Sequence, residues 1–131
     1  MRARVKCKAC DRLLTDWLEP VAADFEVEWR DNENIIPAGH YWIGHGLAGG
    51  REQPGQTLDG RMFVHLNQRT GMPYHPDINR NYGCCGRDGC NGPNLKCQCG
   101  AEVATEVSDC WTSYYIHFEP EVTELVDETT H

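Results

Sequence analysis

Two close cysteine pairs, one near each end of the sequence, constrain the fold of this chain more than any other feature. The first pair is Cys7-Lys-Ala-Cys10 and the second is Cys97-Gln-Cys99, and residues 11–83 contain no cysteine. A turn between two such cysteines can direct both sulfurs and several backbone N–H groups toward one point, which suits a tetrahedral Zn²⁺ ion. We therefore predict that the two ends of the chain meet at a metal site.

Through Cys7, Cys10, Cys97 and Cys99 the chain resembles zinc-ribbon (zinc-knuckle) proteins, in which knuckles on neighbouring hairpins supply four thiolates to one zinc ion. The resemblance covers about ten residues at each end. It departs from the family pattern in the C-x-C spacing of the second pair and in the long insertion between the pairs. Gly100 compensates for the shorter spacing, because glycine adopts a positive φ and lets the chain turn back. The resemblance implies a structural zinc site and no particular activity.

Four further cysteines lie between residues 84 and 110. Cys84 and Cys85 are adjacent, so their side chains point in different directions in an extended chain. A second zinc ion is available to this group, and its fourth ligand is either another cysteine or His75, which is otherwise a turn residue. The predicted metal ligands, for one or two structural zinc ions, are Cys7, Cys10, Cys84, Cys85, Cys90, Cys97, Cys99 and Cys110.

Two other uses of the cysteines stay open at this point. The eight cysteines can form four disulfides in many possible pairings. No export signal is visible, so we predict a cytoplasmic protein, and in a reducing compartment closely spaced thiols bind metal more often than they form disulfides. A thioredoxin-like redox site at Cys7 and Cys10 needs a βαβ unit, and no strand is predicted before Cys7.

Local patterns predict a mainly β fold, with a small α+β fold as the other possibility. Residues 44–55 and 71–96 are rich in glycine and proline and are predicted to be loops. Short helical turns are predicted only at residues 12–18 and 122–126. Alternating or compact apolar runs predict strands at residues 25–29, 41–43, 62–66 and 114–118.

The predicted organisation is a single zinc-stabilised domain over residues 1–118, followed by an acidic tail over residues 119–131. The zinc substitutes for part of the hydrophobic core that a short chain cannot supply alone. Within the domain, residues 1–15 form the first knuckle, residues 20–75 a β-rich insertion and residues 84–110 the cysteine cluster.

The net charge of −8 belongs to one end of the chain, because all 12 basic residues lie at or before Lys96. An acidic C-terminal region repels a phosphate backbone, so we predict that the protein does not bind nucleic acid. The locally basic N-terminus keeps open the alternative of a nucleic-acid-associated zinc ribbon that works through Arg2, Arg4, Lys6 and Lys8. No apolar run is long enough to cross a membrane, so no membrane partner is predicted.

The sequence favours a non-enzymatic zinc-binding protein that acts through contact with another protein. No metalloprotease H-E-x-x-H, zinc-deaminase, G-x-S-x-G or Walker motif occurs in the sequence. The alternative is a metal-dependent hydrolase, whose metal needs three protein ligands and an open coordination position. The candidate ligands for that alternative are His40, His45, His65 and His75.

Overall fold

The computed structural model describes residues 2–44, 60–89, 91–110 and 112–128. This part of the chain is mainly β, which confirms the predicted fold class. Its helical elements are two short 3₁₀-helices, Leu66–Gly71 and Ile78–Asn81. The strands are β1 (Ala3–Cys7), β2 (Glu19–Pro20), β3 (His40–Ile43), β4 (Met62–Val64), β5 (Leu95–Lys96), β6 (Glu102–Val107), β7 (Tyr115–Phe118) and β8 (Thr123–Asp127).

Six of these strands form one sheet in the order β2-β3-β4-β7-β6-β5. Strand β2 runs parallel to β3, and the other neighbouring pairs are antiparallel. Strands β4 and β7, in the middle of the sheet, are buried along their whole length. Both faces of the sheet are therefore covered, which explains why these strands are compact apolar runs with little alternation.

The remaining two strands, β1 and β8, pair antiparallel as a separate two-stranded sheet. An apolar cluster that includes Val5 of β1, Val64 of β4 and Ile116 of β7 joins this small sheet to the larger one. A second cluster, built around Trp42, Phe63 and other side chains, forms a separate part of the core. The small sheet thus places the N-terminal cysteine pair against the main body of the protein.

Strand β8 lies within the predicted acidic tail at 119–131 and covers most of the predicted helical turn at 122–126. Residues 122–126 form no helix; instead Thr123–Asp127 pair with Ala3–Cys7 along their whole length. Local patterns do not indicate this pairing, because three of the five residues in β8 are acidic or exposed apolar side chains. The boundary of the domain at residue 118 stays a prediction.

Most strand predictions are confirmed in position, within a residue or two at their ends. Strands β3, β4 and β7 correspond to the predicted runs at 41–43, 62–66 and 114–118. The predicted strand at 25–29 is wrong, because these residues form no ladder with any described strand. Their alternation is nevertheless meaningful, since Phe25, Val27 and Trp29 all pack against the second apolar cluster while Glu26 and Glu28 are exposed.

Two further local predictions have different outcomes. Residues 12–18 form no helical turn; Leu13 and Leu18 instead make single antiparallel bridges to Lys6 and Ala3 of β1. Nearly all of the predicted loop at 44–55 lies outside the described residues. Within the part of the chain that the structure covers, none of the helices has the length and apolar character needed to cross a bilayer.

Candidate metal centre

Four cysteine side chains from the two ends of the chain converge at one point. We call Cys7, Cys10, Cys97 and Cys99 the knuckle cluster; their sulfurs all lie within 4.8 Å of one another. The Sγ atoms of Cys7 and Cys99 are 3.7 Å apart, and those of Cys10 and Cys97 are 3.5 Å apart. The structure therefore brings together the four residues that carry the zinc-ribbon resemblance.

The spacing of these sulfurs fits a tetrahedral metal site. A Zn–S bond of about 2.3 Å places any two sulfurs of a tetrahedral site about 3.8 Å apart. The two measured separations of 3.7 and 3.5 Å are close to that edge, whereas a disulfide requires about 2.05 Å. The four thiols are also free of disulfide bonds. The knuckle cluster can hold a metal ion without rearrangement of the backbone.

The two knuckles have the same construction, although their cysteine spacing differs. In each, the first cysteine stands at the end of a strand: Cys7 is the last residue of β1, and Cys97 directly follows β5. The backbone N–H of this cysteine donates a hydrogen bond across the turn. Cys7 donates to the Arg12 carbonyl at 2.8 Å, and Cys97 donates to the Ala101 carbonyl at 2.8 Å. In each, the residue after the second cysteine has a positive φ, which is +61° at Asp11 and +100° at Gly100. The predicted turn at Gly100 is confirmed, and Asp11 has the matching position in the first knuckle.

Burial and backbone donors divide the four thiols into an inner and an outer pair. Cys7 and Cys97 are 0% and 1% exposed, while Cys10 and Cys99 are exposed. Burial raises the pKa of Cys97 to about 12 and also raises the pKa of Cys7. The Ala101 N–H, directed at the Cys99 sulfur, lowers the pKa of that thiol to about 7. N–H groups aimed at sulfur are the feature that a knuckle uses to stabilise thiolates.

A strand precedes the first cysteine pair, contrary to the sequence prediction, because Ala3–Cys7 form β1. This strand does not create a thioredoxin-like βαβ unit. After Cys10 the chain turns back at Asp11 and Leu13 bridges to Lys6, so a short return segment follows where a redox motif has a helix. The local fold is consistent with a turn that holds a metal.

Three of the remaining cysteines form a second group at the surface. We call Cys84, Cys85 and Cys110 the loop cluster; their sulfurs also lie within 4.8 Å of one another. Cys84 and Cys85 are exposed and Cys110 is half-buried. The Sγ atoms of Cys85 and Cys110 are 2.7 Å apart, and this contact is the first cause of the raised pKa of Cys110, which is about 12. The other predicted ligand of this region, Cys90, lies outside the described residues.

The loop that carries Cys84 and Cys85 is organised by the carboxylate of Asp109. Its two oxygens accept the backbone N–H groups of Cys84 at 3.1 Å, Cys85 at 2.7 Å, Gly86 at 3.1 Å and Cys110 at 2.8 Å. These donors, with that of Cys85 first, lower the pKa of Asp109. The carboxylate thus fixes both chain segments that supply the sulfurs of the loop cluster.

Glycine is required at both sides of this cysteine pair for steric reasons. A Cβ atom at Gly83 meets the Gly86 carbonyl oxygen at 2.0 Å, and one at Gly86 meets the Ser108 carbonyl oxygen at 2.5 Å. Both obstacles are backbone atoms, which cannot move aside as a flexible side chain does. Asp109 and these glycines were not recognised from the sequence, although Asp109 directly precedes a cysteine and the two glycines flank a cysteine pair.

His75, the candidate fourth ligand of a second zinc ion, is not among the residues that converge with the described sulfurs. Its Nδ1 accepts the N–H of Asp77 at 3.0 Å, and its Nε2 lies 3.5 Å from a Glu102 carboxylate oxygen. Both ring nitrogens therefore have local partners in a turn, as the alternative interpretation of this residue proposed.

The other described histidines also have local structural contacts. His40 Nδ1 lies 3.1 Å from the backbone carbonyl two residues before it, and His65 Nδ1 accepts the backbone N–H two residues after it. His117 is buried in β7, 3.3 Å from an Arg61 guanidinium nitrogen. The possible metal-ligand groups found among the described residues contain cysteine only. His45 lies outside those residues.

The basic N-terminus is largely engaged by the rest of the protein. Arg2 pairs with Glu128 at 3.1 Å and Lys6 with Glu124 at 3.4 Å, so carboxylates at or near β8 neutralise the basic side chains of β1. The Arg4 guanidinium lies 4.3 Å from the centre of an indole ring. Strand pairing thus places carboxylates beside Arg2 and Lys6, so this part of the described surface carries charges of both signs.

Comparisons of the chain with protein-family models, with curated proteins and with solved structures gave no match. The chemistry of the site therefore has to be inferred from its own residues and their geometry.

Proposed function

We propose that this is a non-enzymatic zinc-binding protein, in which the knuckle cluster holds a structural zinc ion and the folded surface binds another protein. The observation that carries the proposal is the convergence of four cysteine sulfurs at tetrahedral spacing from opposite ends of the chain. Four thiolate ligands favour zinc among the common cellular metals, and they close its coordination shell. A closed shell supports a structural role.

Several other observations support the same function. The histidines that a hydrolytic site would use have local hydrogen-bond partners wherever they are described. Free thiols in such number are stable in a reducing compartment, so we propose that the protein is cytoplasmic. A net charge of −8 and the ion pairs Arg2–Glu128 and Lys6–Glu124 favour a protein partner over a nucleic acid.

Two exposed apolar side chains mark the surface that we propose for the partner protein. Ile78 is 81% exposed and Tyr82 is 65% exposed, and both belong to the short 3₁₀-helix at 78–81 or directly follow it. Tyrosine is enriched in protein interfaces, and neither side chain contributes to the apolar core clusters.

The zinc proposal is tested by measuring zinc per chain in protein purified under reducing conditions without added metal. We expect bound zinc in the wild type, loss of at least one zinc in Cys10→Ser and Cys97→Ser, and no change in His40→Ala. Cys10 is exposed, so its serine variant separates metal loss from simple loss of core packing. Wild-type zinc content in both cysteine variants contradicts the proposal.

The partner proposal is tested by affinity capture followed by binding measurements with the purified captured protein. We expect the double variant Ile78→Ser, Tyr82→Ser to bind at least tenfold more weakly while it retains its zinc. Leu125→Ser is the matched control, because Leu125 is also an exposed apolar residue but lies on β8. Equal binding by both variants contradicts the proposed surface.

A further inference from the structure

We infer that the loop cluster of Cys84, Cys85 and Cys110 is a second thiolate metal site, more accessible to solvent than the knuckle cluster. The inference goes beyond the proposed function, because it assigns a separate site with a different property. It begins from geometry: three sulfurs from two distant chain segments lie within 4.8 Å of one another.

The surroundings show that this convergence is built into the fold. Asp109 holds the Cys84–Cys85 loop and the Cys110 turn together through four backbone N–H groups. A side chain at Gly83 or Gly86 would collide with backbone atoms, so the path of the loop is specified. Three surface cysteines that met by chance would need no such support.

The loop cluster differs from the knuckle cluster in its exposure. Each knuckle contributes one fully buried sulfur-bearing residue, whereas two of the three loop cysteines are exposed and the third is half-buried. Three thiolates suit a thiophilic ion such as zinc and leave one coordination position for a further ligand. Water and chelators reach such a site more easily than a closed one, so its metal exchanges faster.

Metal binding here changes the contact between Cys85 and Cys110. Their sulfurs are 2.7 Å apart, and two thiolates of a tetrahedral zinc site are about 3.8 Å apart. We expect rotation of the Cys85 and Cys110 side chains to provide this separation. Binding releases the thiol protons to solvent as the thiolates form bonds to the metal.

The test follows zinc release from the full-length, zinc-loaded protein to a chromogenic chelator, while circular dichroism monitors the fold. We expect two zinc ions per chain, one of which is released at least tenfold faster and without loss of structure. The double variant Cys84→Ser, Cys85→Ser should lack only the fast phase and keep the slow one, whereas Cys10→Ser should lose the slow phase together with the folded signal in circular dichroism. These two arms separate failure of this inference from failure of the knuckle proposal.

A second variant tests whether the site depends on its supporting carboxylate. Asp109→Asn keeps every thiol but replaces an acceptor oxygen with a donor, so we expect at least tenfold weaker zinc binding in the fast phase. Asp24→Asn, at an exposed position, is the matched control and should behave as wild type. The inference is overturned by one zinc per chain with no fast phase, or by a Cys85–Cys110 disulfide in protein prepared under reducing conditions.

Discussion

At the scale of single residues, the two knuckles meet the same backbone requirement with different side chains. Both turns need a residue with positive φ after the second cysteine; one uses Gly100 and the other Asp11. The role of Gly100 was predictable because a C-x-C-G sequence can close only through such a turn. The role of Asp11 was not predictable, because aspartate tolerates a left-handed conformation but its presence in a sequence does not indicate one.

This requirement predicts that Gly100→Ala lowers the free energy of unfolding by about 1–2 kcal/mol. A Cβ at Gly100 contacts nothing within 4 Å, so the cost comes from the backbone conformation alone. Asp11→Gly places glycine at the equivalent turn and should remain within about 0.5 kcal/mol of wild type. Urea denaturation of the zinc-loaded proteins measures both values. Equal stability of wild type and Gly100→Ala would show that the turn is not under conformational restraint.

A second residue-scale prediction concerns His117, which is 3% exposed. Burial, and then the neighbouring Arg61, lower its pKa from 6.5 to about 3. As pH falls below the ordinary value, the unfolded chain binds a proton at this position and the folded chain does not, so acid weakens the fold. Between about pH 7 and about pH 5.5, the free energy of unfolding of the wild type should fall by about 1 kcal/mol more than that of His117→Asn. If the free energies of unfolding of the two proteins change equally with pH, the buried His117 does not cause the loss of stability in acid.

At the scale of secondary-structure elements, β8 is the part of the fold that the sequence least revealed. Two of its five residues are acidic, and local patterns carry no information about a partner strand more than a hundred residues away. By contrast, β3, β4 and β7 are apolar runs that must be buried wherever they pair, so their positions were predictable. Apolar and polar residues alternate at 25–29, and the apolar ones pack against the core as the pattern predicts, but this run pairs with no described strand. Alternation indicates which side chains face inward; it does not indicate whether a neighbouring strand is present.

The pairing of β8 with β1 predicts that the C-terminal strand supports the metal site. Thr123 lies directly opposite Cys7, and the N–H of Lys8 bonds to the Val122 carbonyl at 2.9 Å. Truncation after residue 121 should therefore weaken zinc binding at the knuckle cluster at least tenfold, because β1 loses its hydrogen-bonded partner. Competition with a chelator measures the affinity. Truncation after residue 128, which keeps β8, is the control, and equal affinities of the two truncated proteins would contradict the prediction.

At the scale of the whole molecule, the knuckle cluster is the point at which the two ends of the chain are joined. A structural zinc site contributes of the order of 10 kcal/mol in small domains, which is comparable to the whole stability of a domain this size. The spacing of the cysteines alone predicted that the two pairs meet, because two close cysteine pairs are typical of a shared metal site. It could not predict the Asp109-centred loop, whose hydrogen bonds run from a side chain to the backbone of residues 23 to 25 positions away.

Removal of the metal should therefore unfold most of the protein. Chelation under reducing conditions is expected to abolish the cooperative thermal transition and to expose Trp42 to solvent. In the folded protein Trp42 is buried, with its ring centre 5.1 Å from the ring centre of Phe63. Tryptophan fluorescence and circular dichroism measure both effects, and added zinc should restore them. A metal-free protein with an unchanged melting temperature would mean that the apolar clusters are sufficient for folding.

The distance along the chain between the two knuckles has a consequence for how the protein is made. Cys7 and Cys99 are 92 residues apart in sequence. At ribosomal speeds of about 5–20 residues per second, the first knuckle emerges roughly 5–18 s before its partner exists. During that time a nascent chain presents two thiols that cannot complete their site. If the knuckle cluster holds its proposed zinc ion, correct assembly therefore requires that those thiols stay reduced until Cys97 and Cys99 have been synthesised.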